Sequence, residues 1–179
     1  MASLCELEEL GVLEELGARA ERSRAALAAA EPGAARAIEG LLEASTDPEF
    51  PAAFLVSRFR QFVRESLEII PEAAAALARG DLAEFGRQVD ASQMGAEEGL
   101  GNQVPETIHL ARRARSLGAH AASSFGAGFG GSVWAMVERD AVEPFGRAWM
   151  DDYRREFPSA ARRAEYFRSA LGPGARRLD

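Results

Sequence analysis

Ser124-Phe125-Gly126-Ala127-Gly128-Phe129-Gly130-Gly131-Ser132-Val133-Trp134-Ala135-Met136-Val137 decides how this chain is read. Four glycines fall within six residues, and the segments on either side read as β-strands. A loop with so few Cβ atoms reaches positive φ freely and lets backbone N–H groups approach a phosphate. Gly126, Gly128 and Gly131 satisfy G-x-G-x-x-G, but a dinucleotide fold then requires a helix opening on the third glycine. The residues after Gly131, Ser132 to Val137, are instead apolar on both faces and rich in β-formers. That is the pattern of a strand buried on two sides, and it argues against dinucleotide binding. A protein-kinase loop, G-x-G-x-x-G-x-V, does join two strands and matches Gly126 to Val133. Its lysine, H-R-D and D-F-G partners are missing, since the sequence contains no lysine at all. A glycine-rich hairpin turn without a ligand stays open as the alternative.

Composition bounds what surrounds this loop. A chain of 179 residues suffices for one domain, or for one domain with a helical extension, and can bury a proper core. With 47% hydrophobic and 27% charged residues it reads as soluble and globular. All 21 basic residues are arginines, set against 28 acids, and the resulting charge of −7 disfavours nucleic acid or an anionic membrane as partner. Cys5 is single, so no internal disulfide forms, and with only His109 and His120 beside it no zinc set is expected. No apolar run reaches membrane-spanning length, and Met1 to Glu6 lacks the features of a signal peptide. The expected compartment is the cytoplasm.

Upstream, the spacing predicts helices almost throughout. Leu4, Leu7, Leu10, Leu13, Leu16, Ala20, Arg24 and Leu27 recur at three- and four-residue steps up to Pro32-Gly33. Ala34 to Ala44 reads as a second helix with Ile38, Leu41 and Leu42 inward, and Thr46 to Pro51 as a loop. Leu55, Phe59, Phe62, Val63, Leu67 and Ile70 line a third helix that meets Pro71, where a bend or restart is expected. Gly80-Asp81 reads as a stop and a new N-cap, Gly95 to Gln103 as a loop, and Pro105 as the first turn of a further helix. Asp140 to Glu143 has the form of a capping box opening a helix with Val142, Phe145, Trp149 and Tyr153 inward. Pro158 closes that helix, and Glu165 to Ala170 is a candidate last strand. The resulting fold class is α+β: a helical N-terminal block, then β-β-α-β, with helices packed on a small antiparallel sheet.

Gly126-Ala127-Gly128-Phe129-Gly130-Gly131 before an apolar strand resembles the third motif of the GHMP kinases, the galactokinase, homoserine, mevalonate and phosphomevalonate kinase superfamily. The likeness is greatest to galactokinases, where G-A-G-F-G-G occurs in this form. Arg58 to Val63, Gly80 to Gly86 with Ser92 after it, and Val104-Pro105-Glu106 fall in galactokinase order and spacing. The resemblance implies a ferredoxin-like GHMP C-terminal domain over residues 48–179, preceded by a helical segment, residues 1–47. It implies that Gly126, Ala127, Gly128, Phe129, Gly130 and Gly131 contact ATP, accompanied by Mg²⁺, and that Ser92 and Ser124 lie on the sugar side. The family's phosphate loop, P-x-x-x-G-L-x-S-S-A, does not occur in this sequence. No residue of this chain is therefore assigned a catalytic or metal-binding role, and sugar and ATP are expected as ligands only together with an N-terminal kinase half.

Two departures qualify the resemblance. Phe125 stands where galactokinases usually carry Thr or Ser before the first glycine, and Ser92-Gln93 replaces their frequent Ser-His. Ser124 is the neighbouring hydroxyl, but adjacent strand residues face opposite ways. A non-catalytic sugar- or nucleotide-binding module is the second reading. A self-associating homodimer built on the leucine pattern of residues 4–27 is the third. Arg58, Arg60 and Arg64 read as a solvated helix face, His109 and His120 as structural residues, and Trp134 and Trp149 as core.

Overall fold

Local signals set most of the helix boundaries in this chain. The computed structural model describes Ala18 and residues 33–169. The helix expected over residues 4–27, with Cys5 on it, lies outside the described residues except at Ala18. Helix α1 spans Ala34–Glu43. Asp47 Oδ1 then accepts the amides of Glu49 and Phe50 at 2.8 and 2.9 Å, an Asx turn that delivers the chain to Pro51. Helix α2, Ala52–Arg64, starts there.

Of the bend or restart expected at Pro71, the restart does not occur. A π turn, Glu65–Ile69, runs directly into helix α3, Ile70–Ala78, so the helical path is continuous. Proline has no N–H to offer the preceding turn, and the widened turn absorbs that loss. Gly80, at φ 70, then ends α3, and Asp81 Oδ1 accepts the Glu84 amide at 2.9 Å to cap helix α4, Leu82–Met94. The loop expected over Gly95 to Gln103 is also corrected: Gly95–Leu100 winds as a second π segment continuing α4. Its glycines serve close packing, because a Cβ on Gly99 would sit 2.9 Å from Gln61 Cβ on α2. Pro105 opens helix α5, Pro105–Ser116, as expected, with Thr107 Oγ1 accepting the Val104 amide at 3.2 Å.

The sheet is one antiparallel hairpin. Strand β1, Ala121–Phe125, pairs with β2, Ser132–Met136, so that Ala121 faces Met136, Ser123 faces Trp134 and Phe125 faces Ser132. A 3₁₀ turn, Arg139–Ala141, leads into helix α6, Val142–Glu156. The expected capping box is not formed. The 3₁₀ turn moves the N-cap to Ala141, one residue past Asp140, and no side chain caps α6. The helix stops before Phe157-Pro158, where the residue ahead of proline leaves the helical region.

The candidate last strand over Glu165–Ala170 is not formed in its described residues, 165–169. Tyr166 decides this. Its hydroxyl donates to Val142 O at 3.0 Å, and a Cβ on Gly146 would lie 2.3 Å from its ring. The segment is thus docked across α6 by one side chain, not along a sheet edge by its backbone. The α+β class stands, with a two-stranded antiparallel sheet under helices.

The core gathers Ala114, Ala119, Ala122, Val137, Val142, Phe145 and Trp149 from α5, α6 and the hairpin. Trp149 donates its indole N–H to Leu110 O at 2.9 Å, satisfying the polar end of a buried ring whose truncation would cost about 3–5 kcal/mol. Trp134, expected in the core, is only half-buried on β2. Helix α4 lies hard against β1, since a Cβ on Gly86 would sit 2.1 Å from His120 O. Arg115 clamps the same junction, bonding Asp90 at 2.8 Å and Ala119 O at 2.6 Å as well as His120 O. Ile38 and Leu41, expected inward, are instead exposed among the described residues, as is Phe62. Among the described residues no helix is long and apolar enough to cross a membrane.

Candidate functional site

The glycine loop joins β1 to β2, and its shape follows from its composition. Gly126, Gly128, Phe129, Gly130 and Gly131 have φ of 94, 87, 61, 115 and 100°. Glycine adopts such angles without penalty, whereas Phe129 costs about 1–2 kcal/mol there. Phe129 is held in place because its amide donates to Asn102 O at 2.5 Å. Asn102 Nδ2 donates to Ala127 O at 3.1 Å, and Gln103 and Thr107 extend the same chain of hydrogen bonds into α5. The loop is therefore docked on the segment just past the second π turn. Among the described residues, the amides of Gly126, Ala127, Gly128, Gly130 and Gly131 take no protein acceptor. Beside Gly126, Gly130 and Gly131 the space a Cβ would fill is open.

The foot of the loop is held by Gln93 from α4, which is buried. Its Oε1 accepts from Ser123 Oγ at 2.9 Å, Ser124 N at 2.9 Å and Ser124 Oγ at 3.3 Å. Its Nε2 donates to Glu97 Oε1 at 3.0 Å, and the other Glu97 oxygen accepts from Arg112. A carboxylate only accepts, so Glu97 sets which way the Gln93 amide faces. Of the residues singled out from the sequence, Gly126 to Gly131 form one loop and Ser124 stands at its foot, engaged by Gln93. Ser92 does not join them: its hydroxyl donates to Glu65 Oε1 at 2.7 Å, on the first π turn. Phe125 and Phe129 flank the loop at 60% and 74% exposure, which leaves two aromatic faces beside its backbone donors.

Residues 121–137 carry no ionisable side chain. The loop can therefore bind an anion through backbone amides but cannot itself abstract a proton. Sequence reasoning overlooked Gln93 and Asn102 as loop supports. They lie about 25 to 31 residues from the groups they hold, a separation that carries no local pattern.

The two histidines lie elsewhere. His120 Nε2 is 2.8 Å from Glu138 Oε1, and His109 Nε2 is 2.9 Å from Asp152 Oδ2. Burial pushes the Asp152 carboxyl up, but hydrogen bonds from Arg155 and His109 and the Arg113 charge outweigh it, leaving it below the usual carboxylate value. Burial raises the Tyr153 and Tyr166 hydroxyls.

The segment containing α4, α5, the hairpin and α6 matches one known family: residues 73–155 correspond to the GHMP kinases C terminal. That segment is similar to a GHMP kinase C-terminal domain. Galactokinase of Pyrococcus furiosus is 31% identical over 109 residues, covering 61% of this chain and 30% of that protein. Galactokinase of Roseiflexus sp. is 37% identical over 92 residues, 51% of this chain and 23% of its own length. Galactokinase of Ligilactobacillus salivarius is 37% identical over 115 residues, with shares of 59% and 28%. The chain thus spans less than a third of the length of each of these three galactokinases. The matched stretch is the helix-rich α+β part of the chain whose hairpin carries the glycine loop.

Proposed function

We propose that this chain is the glycine-loop domain of a galactokinase-like sugar kinase, acting with an N-terminal half that carries the phosphate loop. That half could be a second polypeptide or another part of a longer chain. The observation that carries the reading is the docked loop itself: amides without protein acceptors, open space beside Gly126, Gly130 and Gly131, and a rigid foot at Gln93. Those features fit the phosphates of ATP, which the loop would cover with backbone donors. Among the described residues no three His, Cys, Asp or Glu side chains form a metal-binding cluster. Ser124 borders the loop, whereas Ser92 reaches the ligand only if its bond to Glu65 is exchanged.

Phosphoryl transfer rests on positioning and on cations around the transferred group, and residues 121–137 supply neither cation nor base. The chain alone is expected to turn over no ATP with galactose. Adding a galactokinase N-terminal half restores galactose-dependent ADP release in a coupled assay. Turnover by the chain alone would refute the division of labour. Phe125, exposed at the loop foot, favours one second reading, a nucleotide- or sugar-binding module without chemistry. Saturable nucleotide binding without turnover in the reconstituted assay would select it.

A further inference from the structure

We infer that the groove between helix α5 and the C-terminal end of α6 is a second ligand site, for a small organic anion. It shares no residue with the glycine loop and does not depend on the kinase reading. The cavity measures about 620 Å³, a size that suits a small ligand. Arg112, Arg113 and His109 line it together with Ile108, Phe157 and Glu156.

Its arginines are only partly used. The Arg113 Nε is buried and has no hydrogen-bond partner, although Asp152 Oδ1 lies 3.1 Å away. One further Arg113 nitrogen donates to Ser116 Oγ at 3.2 Å, and Arg112 gives one bond to Glu97. A guanidinium carries five N–H donors, so most of those on this pair have no protein acceptor among the described residues. Asp152 does not neutralise them alone, because it is shared with His109 and Arg155. Asp152 faces the buried Arg113 Nε, so the donors left for a ligand are the outer guanidinium nitrogens of Arg112 and Arg113. Paired guanidinium forks match a phosphate or carboxylate.

The rest of the lining describes the body that carries the anion. Phe157 stands edge-on to His109 at 5.3 Å and, with Ile108, gives the groove an apolar wall. That wall favours an organic group over an inorganic ion. Glu156 adds an acceptor suited to a hydroxyl or ammonium group.

The test is a titration of the isotope-labelled full chain with phenyl phosphate, monitored by amide chemical shifts. Saturable shifts are expected at Ile108, His109, Arg112, Arg113 and Phe157, with Gly126 to Gly131 unmoved. Inorganic phosphate should bind at least about fivefold more weakly, for lack of the apolar contact. Arg112→Gln, at an exposed position that folding tolerates, should weaken phenyl phosphate by about fivefold or more. Arg113→Lys keeps the charge but loses the fork and should weaken it as well. The absence of saturable shifts at these amides overturns the inference, as does equal affinity for inorganic phosphate or undiminished binding in both variants.

Discussion

Replacing Gly128 by alanine isolates what docks the glycine loop. Alanine at φ near 87° costs about 1–2 kcal/mol for the left-handed conformation alone. Its Cβ would also lie 2.3 Å from Asn102 O and 2.7 Å from Asn102 Cγ and Nδ2, closer than any real contact. Loop and Asn102 must then part, giving up the bonds Phe129 N–H to Asn102 O and Asn102 Nδ2 to Ala127 O. At about 1 kcal/mol net each, the total reaches about 3–4 kcal/mol.

Gly126 provides the control. Its φ of 94° is nearly the same, and nothing lies within 4 Å of the Cβ it lacks. Gly126→Ala should therefore cost only the conformational share, about 1–2 kcal/mol. The difference of about 2 kcal/mol corresponds to about 30-fold in the opening equilibrium of the loop. Native-state hydrogen exchange at the Phe129 amide reads it directly, and urea melts report how much reaches global stability. Equal acceleration of exchange in the two variants would refute the docking argument.

Two further outcomes are expected. Gln93→Met strips the acceptor from the Ser124 amide and from two hydroxyls, so stability should fall by about 2 kcal/mol and the melting temperature by about 4–8 °C. A fall below about 1 °C in a circular-dichroism melt would contradict the role of Gln93. Asp152 titrates below its unfolded value, so the stability it contributes is complete above the ordinary carboxylate range and is lost as pH falls through its folded-state value. Asp152→Asn should accordingly be less stable at neutral pH and lose less on acidification, checked by melting temperatures from about pH 7 to pH 3.

Much of the helical layer was legible because its signals are local. Gly80-Asp81 stops one helix and caps the next within two residues, and Pro105 opens α5 for the same short-range reason. The hairpin was legible too, since glycine density and flanking β-formers sit in one continuous stretch. Where two local rules met, the reading failed. Pro71 signals a bend or restart, yet the π turn before it runs on into the next helix without a restart. Gly95 and Gly99 signal a loop, but they are small for the sake of Gln61, a residue more than thirty positions earlier.

By itself, then, the sequence determined the glycine loop, its strand-to-strand setting and its likeness to GHMP kinases, because all three lie in contiguous residues. Only the tertiary structure decided that Gln93 and Asn102 hold the loop, that Ser92 is tied to Glu65, and that Tyr166 docks on Gly146 in place of a last strand. Each of these is a contact between groups at least twenty residues apart. Side-chain packing and hydrogen-bond satisfaction choose such partners only once the helices have been brought together.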